Sequence, residues 1–273
     1  MSYAALMVHV GAGRIDGRRI RLAVDLANRF HARLIGIAGR TYLPPFLAED
    51  PAPDAERNDG ERREMMDVLA DMGKKFHAAA KHIEHVEWRG ISDDANSIVA
   101  REARAADLVI IGRKRDPRDL YYSLDPATTI LRAGRPVLFV PDEIDSLEAR
   151  RIVVAWKDSR EARRAVRDAL PFLKRAKEAT IVTACEHGTE TQAIKHIEDV
   201  ENYLARHKVI VGEKAFLHTE QSIATELLRF AKEEKADLIV ADGYGHSRLG
   251  EWALGGVTRE LLWESPLCCL LSH

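Results

Sequence analysis

The sequence is written twice. Ala106-Asp107-Leu108-Val109-Ile110-Ile111-Gly112 returns as Ala236-Asp237-Leu238-Ile239-Val240-Ala241-Asp242, an offset of 130 residues. The same offset carries Pro136-Val137-Leu138 onto Pro266-Leu267-Cys268, and Thr128 onto Thr258. Upstream, Leu6–Val10 resembles Ile152–Trp156 at offset 146, and Ala32–Gly36 resembles Ala179–Thr183 at offset 147. Near-constant offsets at both ends, with one step between, mean two copies of one unit, residues 1–145 and 146–273. The step gives the first copy about seventeen extra residues, which fall on Thr41–Gly60. Pro44, Pro45, Pro51 and Pro53 interrupt strand and helix alike, so a surface insertion is expected there.

Each copy alternates strands and helices. Ile152–Trp156 is a short apolar run, as a strand buried on both faces requires. A helix follows, with Asp158 or Ser159 as its N-cap and Ala162, Ala165, Ala169 and Leu170 on its apolar face. Thr180–Ala184 is the second strand, Thr191–His207 an amphipathic helix, and Val209–Val211 or Phe216–His218 the third strand. Ser222–Glu234 is helical, Leu238–Ala241 the fourth strand, Val257–Trp263 a helix and Leu267–Leu271 the fifth strand. This order demands parallel strands joined by right-handed crossovers, hence two doubly wound, open, five-stranded parallel α/β sheets. Such sheets bind ligands beyond the carboxyl ends of their strands, where the strand order reverses.

Composition excludes several function classes. Forty-one basic against forty-three acidic residues give a formal charge of -2, and aromatic residues make up 6%. Neither a basic field nor a stacking platform for nucleic acid is therefore expected. No apolar run reaches the ~18–20 residues that span a bilayer, and Met1–Val10 reads as a strand rather than a leader. Cys185, Cys268 and Cys269 cannot form a disulfide framework, which suits a reducing cytoplasm.

The most informative segment runs from Asp242 to Thr258. It leaves a buried strand, passes Gly243, Gly245, Gly250, Gly255 and Gly256, and enters a helix. Glycines let backbone amides approach a phosphate, and a helix N-terminus adds unpaired N–H groups and a positive dipole end. Neither G-x-x-x-x-G-K-[ST] nor G-x-G-x-x-G is present, so a P-loop and a Rossmann dinucleotide site are not expected.

The second half resembles a universal stress protein domain of the UspA type, and the whole chain resembles a tandem of two. The resemblance rests on Ile152–Trp156 with its Ser159 turn, on Ala236–Val240, and on the loop ending Gly255-Gly256-Val257-Thr258 ahead of Pro266. The family's nucleotide loop reads G-x-x-G-x9-G-[ST], and here nine residues separate Gly245 from Gly255. The resemblance implies adenine nucleotide alpha-hydrolase-like sheets, a site for ATP or another adenine nucleotide, and pairing of the two halves through their last strands. It places that site at Ala155, Lys157, Ala184, Asp242, Gly243, Gly245, Gly255, Gly256, Val257 and Thr258. It implies no metal, and a homodimer is a further expectation.

Three positions depart from the family pattern. Asp242 replaces its first glycine, Gly256 its closing Ser or Thr, and Lys157 the aspartate that ends strand one. An inward carboxylate about 5 Å from a phosphate charge costs on the order of 3 kcal/mol at an effective dielectric of ~20. The first copy departs further: Arg113-Lys114-Arg115-Asp116-Pro117 replaces the loop and Asp125-Pro126-Ala127-Thr128 the glycine pair, so no nucleotide is expected there.

Other constellations carry less. His77, His82 and His85 lack a third converging ligand type and read as a solvated helix end. Cys268 and Cys269 point to opposite faces of one strand. His246-Ser247 lacks a nucleophile elbow, and Trp252 reads as lid, interface anchor or packing. The expectation is a cytoplasmic stress-response binding protein rather than an enzyme. The rival readings are an interaction scaffold without nucleotide and a slow nucleotide hydrolase.

Overall fold

The computed structural model describes residues 2–11, 16–41, 55–112, 124–185, 190–217, 222–243, 245–248 and 251–273. The first half contains β1 (Ala5–His9), α1 (Asp16–Phe30), β2 (Arg33–Gly39), α2 (Ala55–Ala79), β3 (Val86–Ile91), α3 (Ala95–Glu102), β4 (Leu108–Gly112), α4 (Pro126–Arg132) and β5 (Val137–Val140). The second half begins with β6 (Arg151–Trp156), α5 (Arg160–Asp168), α6 (Leu170–Leu173), β7 (Glu178–Ala184) and α7 (Glu190–Arg206). It continues with β8 (Ala215–Leu217), α8 (Ile223–Glu233), β9 (Leu238–Asp242), β10 (Gly245–Arg248), β11 (Glu251–Leu254), α9 (Gly256–Glu264) and β12 (Cys268–Ser272).

Ten of these strands form one sheet, ordered β3-β2-β1-β4-β5-β12-β9-β6-β7-β8. Each half contributes five parallel strands in the doubly wound order, with the reversal between β1 and β4 and again between β6 and β9. The two blocks meet in one antiparallel ladder, where Cys269, Leu270 and Leu271 face Phe139, Leu138 and Val137. Helices cover both faces, so every central strand is apolar throughout and its side chains alternate between two cores. Leu6, Val8, Cys268 and Leu270 enter one core, and Met7, Val109, Cys269 and Leu271 enter the other.

The repeat extends to individual hydrogen bonds. Asp107 Oδ2 accepts the N–H groups of Ala4 and Ala5 at 2.7 and 3.0 Å, tying the start of β4 to the start of β1. Asp237, its counterpart, accepts the N–H groups of Arg150 and Arg151 at 2.9 and 3.1 Å. Between the halves, Tyr3 and Phe30 pack edge-on against Phe172 with centroids 5.6 and 5.2 Å away, and the Tyr3 hydroxyl donates to the Asp168 carbonyl at 2.6 Å.

Three expectations need correction. The segment after β9 contains an antiparallel hairpin, β10 paired with β11, where only a glycine-rich loop was expected. The expected insertion Thr41–Gly60 is not wholly irregular, because α2 begins at Ala55; its four prolines all precede that residue and lie outside the described residues. The third strand of the second half is Ala215–Leu217, while Val211 makes a single bridge to Ala179. The basic run Arg113–Arg115 lies outside the described residues, as do the side chains of His246, Ser247 and Trp252.

Candidate functional site

The second half opens a cleft of about 480 Å³ at the carboxyl ends of β6 and β9, where the strand order reverses. That volume lies in the ordinary range for small-molecule sites. Eight of the ten residues singled out from the sequence line it: Ala155, Lys157, Ala184, Asp242, Gly255, Gly256, Val257 and Thr258. Gly243 and Gly245 are not among the described lining residues. The Gly243 N–H is already committed to the Ser272 carbonyl at 2.7 Å, and Gly245 opens β10.

Beside Asp158 and Thr183, the rest of the wall is apolar and was not assigned to a site in the sequence. Val182 and Leu217 come from strand ends, and Ile223 and Leu227 from the first turns of α8. Their i, i+4 spacing just after the Ser222 cap was the available signal. Ser222 caps α8 through the Ala224 N–H at 3.2 Å and also donates to Glu260, tying α8 to α9 over the cleft.

The polar end is built by α9. Its N-cap is Gly255, which offers no side-chain cap, and a Cβ on Gly256 would meet only open space. The first amides of this helix therefore face the cleft without an internal side-chain acceptor, the arrangement that receives anions. Thr258 is buried, and its hydroxyl donates to the Asp242 carbonyl at 3.2 Å, fixing α9 against the end of β9.

Asp242 opposes an anion. Its carboxylate lines the cleft and accepts a hydrogen bond from Ser159 Oγ at 3.3 Å. Burial raises its pKa, and the nearby Lys157 charge and the Ser159 bond pull it partly back. Ser159 is the N-cap of α5 as well, accepting the Ala162 N–H at 3.1 Å, so the orientation of Asp242 is set by a residue with a structural duty. Lys157 is exposed at the rim.

The first half differs at the matching strand ends. Arg19, on α1, is 7% exposed; its Nε donates to the His9 carbonyl at 3.0 Å, and a side chain at Gly112 would collide with its guanidinium. The repeat places Ala165 where Arg19 stands and Asp242 where Gly112 stands. Burial holds the Arg19 pKa down to about 10, with Asp142 opposing. The α4 N-terminus is also occupied: the Asp125 carboxylate accepts the Thr128 N–H at 2.8 Å and the Thr128 hydroxyl at 2.5 Å. An internal carboxylate thus takes the place that Gly255 leaves open in the second half.

A doubly wound α/β sheet repeated head to head, with an open cleft at the strand-order reversal of the second half, defines the class. Residues 148–273 match the family model described as Universal stress protein family. Over the whole length, the fold matches a universal stress protein from Archaeoglobus fulgidus DSM 4304 with a TM-score of 0.72 at 16% identity, covering 98% of this chain and 97% of that one. A functionally unknown protein from Pseudomonas aeruginosa PAO1 matches with a TM-score of 0.61 at 12% identity, covering 99% and 92%. The comparison with curated proteins gives no match. Among the described residues, no group of three His, Cys, Asp or Glu side chains could hold a metal ion, and no helix is long and apolar enough to cross a membrane.

Proposed function

We propose that the chain is a universal stress response protein, a regulatory binding module that takes an adenine nucleotide in its second half. In this reading residues 1–145 and 146–273 are two domains paired within one chain in the cytoplasm, and the first has become a ligand-free partner. The observation that carries the reading is the uncapped N-terminus of α9, facing an apolar cleft at the point where strand order reverses. The apolar wall of Val182, Leu217, Ile223 and Leu227 suits a flat base, and the α9 amides suit a phosphate. Binding would act by population shift around α9 and the hairpin before it, without turnover.

A second reading has its own observation. Asp242 lines the same cleft as those amides, and its charge favours a scaffold that binds no nucleotide, or a ligand without phosphate. Thermal unfolding with ATP, ADP, AMP and adenosine separates the readings. A nucleotide at 100 times its dissociation constant adds ~2.7 kcal/mol to stability. A shift with the nucleotides supports the first reading, and no shift at millimolar concentration ends it.

A further inference from the structure

A second cleft, of about 420 Å³, lies between the halves, where β5 begins and α5 ends. Its charged lining is Arg135 from the first half, Arg164 and Arg167 from the second, and the carboxylates Asp107 and Asp168. Both carboxylates are committed. Asp107 holds the Ala4 and Ala5 amides, and Asp168 accepts a hydrogen bond from Ser272 Oγ at 2.9 Å. Arg164 donates to the His273 carbonyl, and among the described residues none of the three arginines makes an ion pair within 4.0 Å. Gly134, with φ of +57°, turns the chain out of α4 and delivers Arg135 to the cleft.

The repeat supplies a comparison inside the same molecule. Arg18 and Arg21 on α1 stand where Arg164 and Arg167 stand on α5, at offset 146. Arg18 donates to the Asp142 carbonyl at 3.2 Å, and Arg21 pairs with the Asp145 carboxylate at 3.3 Å. Asp142 and Asp145 belong to the segment joining the halves. The second pair of arginines stands with Arg135 around the Asp168 carboxylate, which Ser272 also holds, so three guanidinium groups share two carboxylates in this cleft. We infer that this inter-half cleft is a binding site for a small, multiply charged oxyanion of the phosphate class, gripped by Arg135, Arg164 and Arg167, which outnumber the two carboxylates of its lining. Guanidinium forks match such oxygens in pairs, and both halves contribute to the grip.

The site is separate from the nucleotide cleft, and inorganic pyrophosphate tests it without a base. Calorimetric titration of the intact chain at low ionic strength should show pyrophosphate binding that weakens steeply with salt. Arg135→Gln with Arg167→Gln should reduce its affinity about ten- to hundredfold, because two charge-assisted contacts are lost. Arg18→Gln with Arg21→Gln, the equivalent positions, should leave it unchanged. All four side chains are exposed, and circular dichroism of each variant would verify folding. Failure of the native chain to bind pyrophosphate would overturn the inference, and so would equal affinity in the first double variant. Titration with adenosine reports on the other cleft, so the two readings fail separately.

Discussion

Gly243 and Ile130 come from different halves and touch where no side chain can be added. A Cβ on Gly243 would collide with Ile130 Cδ1, while the Gly243 amide and carbonyl are held by Ser272 and His273. The glycine that sequence reasoning assigned to a phosphate therefore seats α4 against the end of β9.

Gly243→Ala should destabilise the chain by about 1–3 kcal/mol through overpacking. Adding Ile130→Val should restore part of that loss. Urea unfolding of the single and double variants measures the coupling, and strict additivity would contradict the contact.

Gly255→Asp copies into α9 the cap that Asp125 gives α4. Stability should rise by roughly a few tenths of a kcal/mol, since Asp accepts the orphan amides and glycine is already a tolerated N-cap. The same change should abolish any nucleotide-dependent thermal shift, because an internal carboxylate then occupies the anion position. A variant that gains stability yet keeps the shift would show that the ligand does not use the α9 amides.

Asp242→Asn tests the opposing carboxylate. Burial raises the folded-state pKa of Asp242 above its unfolded value, so the folded chain holds its proton more tightly. Its contribution is then fully present below about pH 4 and is lost as pH rises through the folded pKa. The asparagine variant should match the native chain in acid and exceed it in thermal midpoint at neutral pH. An anionic ligand should also bind it at least about tenfold more tightly at pH 7, where removing a charge near phosphate matters most. Nucleotide titrations across this range would check the second expectation.

His9 should make the first half sensitive to acid. It is 5% exposed, its Nε2 has no hydrogen-bond partner among the described residues, and burial followed by the Arg19 charge lowers its pKa to about 3. The unfolded chain binds a proton near pH 6.5 and the folded one does not. Stability is therefore full above that pH and declines as pH falls toward about 3, by as much as about 5 kcal/mol. His9→Ala, which copies the Ala155 of the second half, should remove this slope from denaturation midpoints measured between about pH 7 and 4.

The repeat was readable because burial on both faces leaves strands few residues to choose from, so Ala106–Gly112 and Ala236–Asp242 stayed alike. Asp107 and Asp237 stayed alike for a different reason, since each satisfies two amides at the amino end of a central strand. The location of the cleft followed from strand order alone. Its apolar wall did not, because Val182, Leu217, Ile223 and Leu227 come from separate elements and look like ordinary core in sequence. The burial of Arg19 was equally hidden: a basic residue on an amphipathic helix reads as solvated until the fold turns it under His9. The β10–β11 hairpin was missed because its glycines read as a loop, although antiparallel pairing needs only a tight reversal between short strands.

The antiparallel ladder between β5 and β12 sets the two crevices at opposite rims of the molecule, so nothing bound in one can touch the other. The sheet is continuous between the halves only through the three facing pairs Val137–Leu271, Leu138–Leu270 and Phe139–Cys269, which any ligand-driven change in the second half would load first. Slowed amide exchange at those six residues on ligand addition would be the first sign that the ladder carries that load.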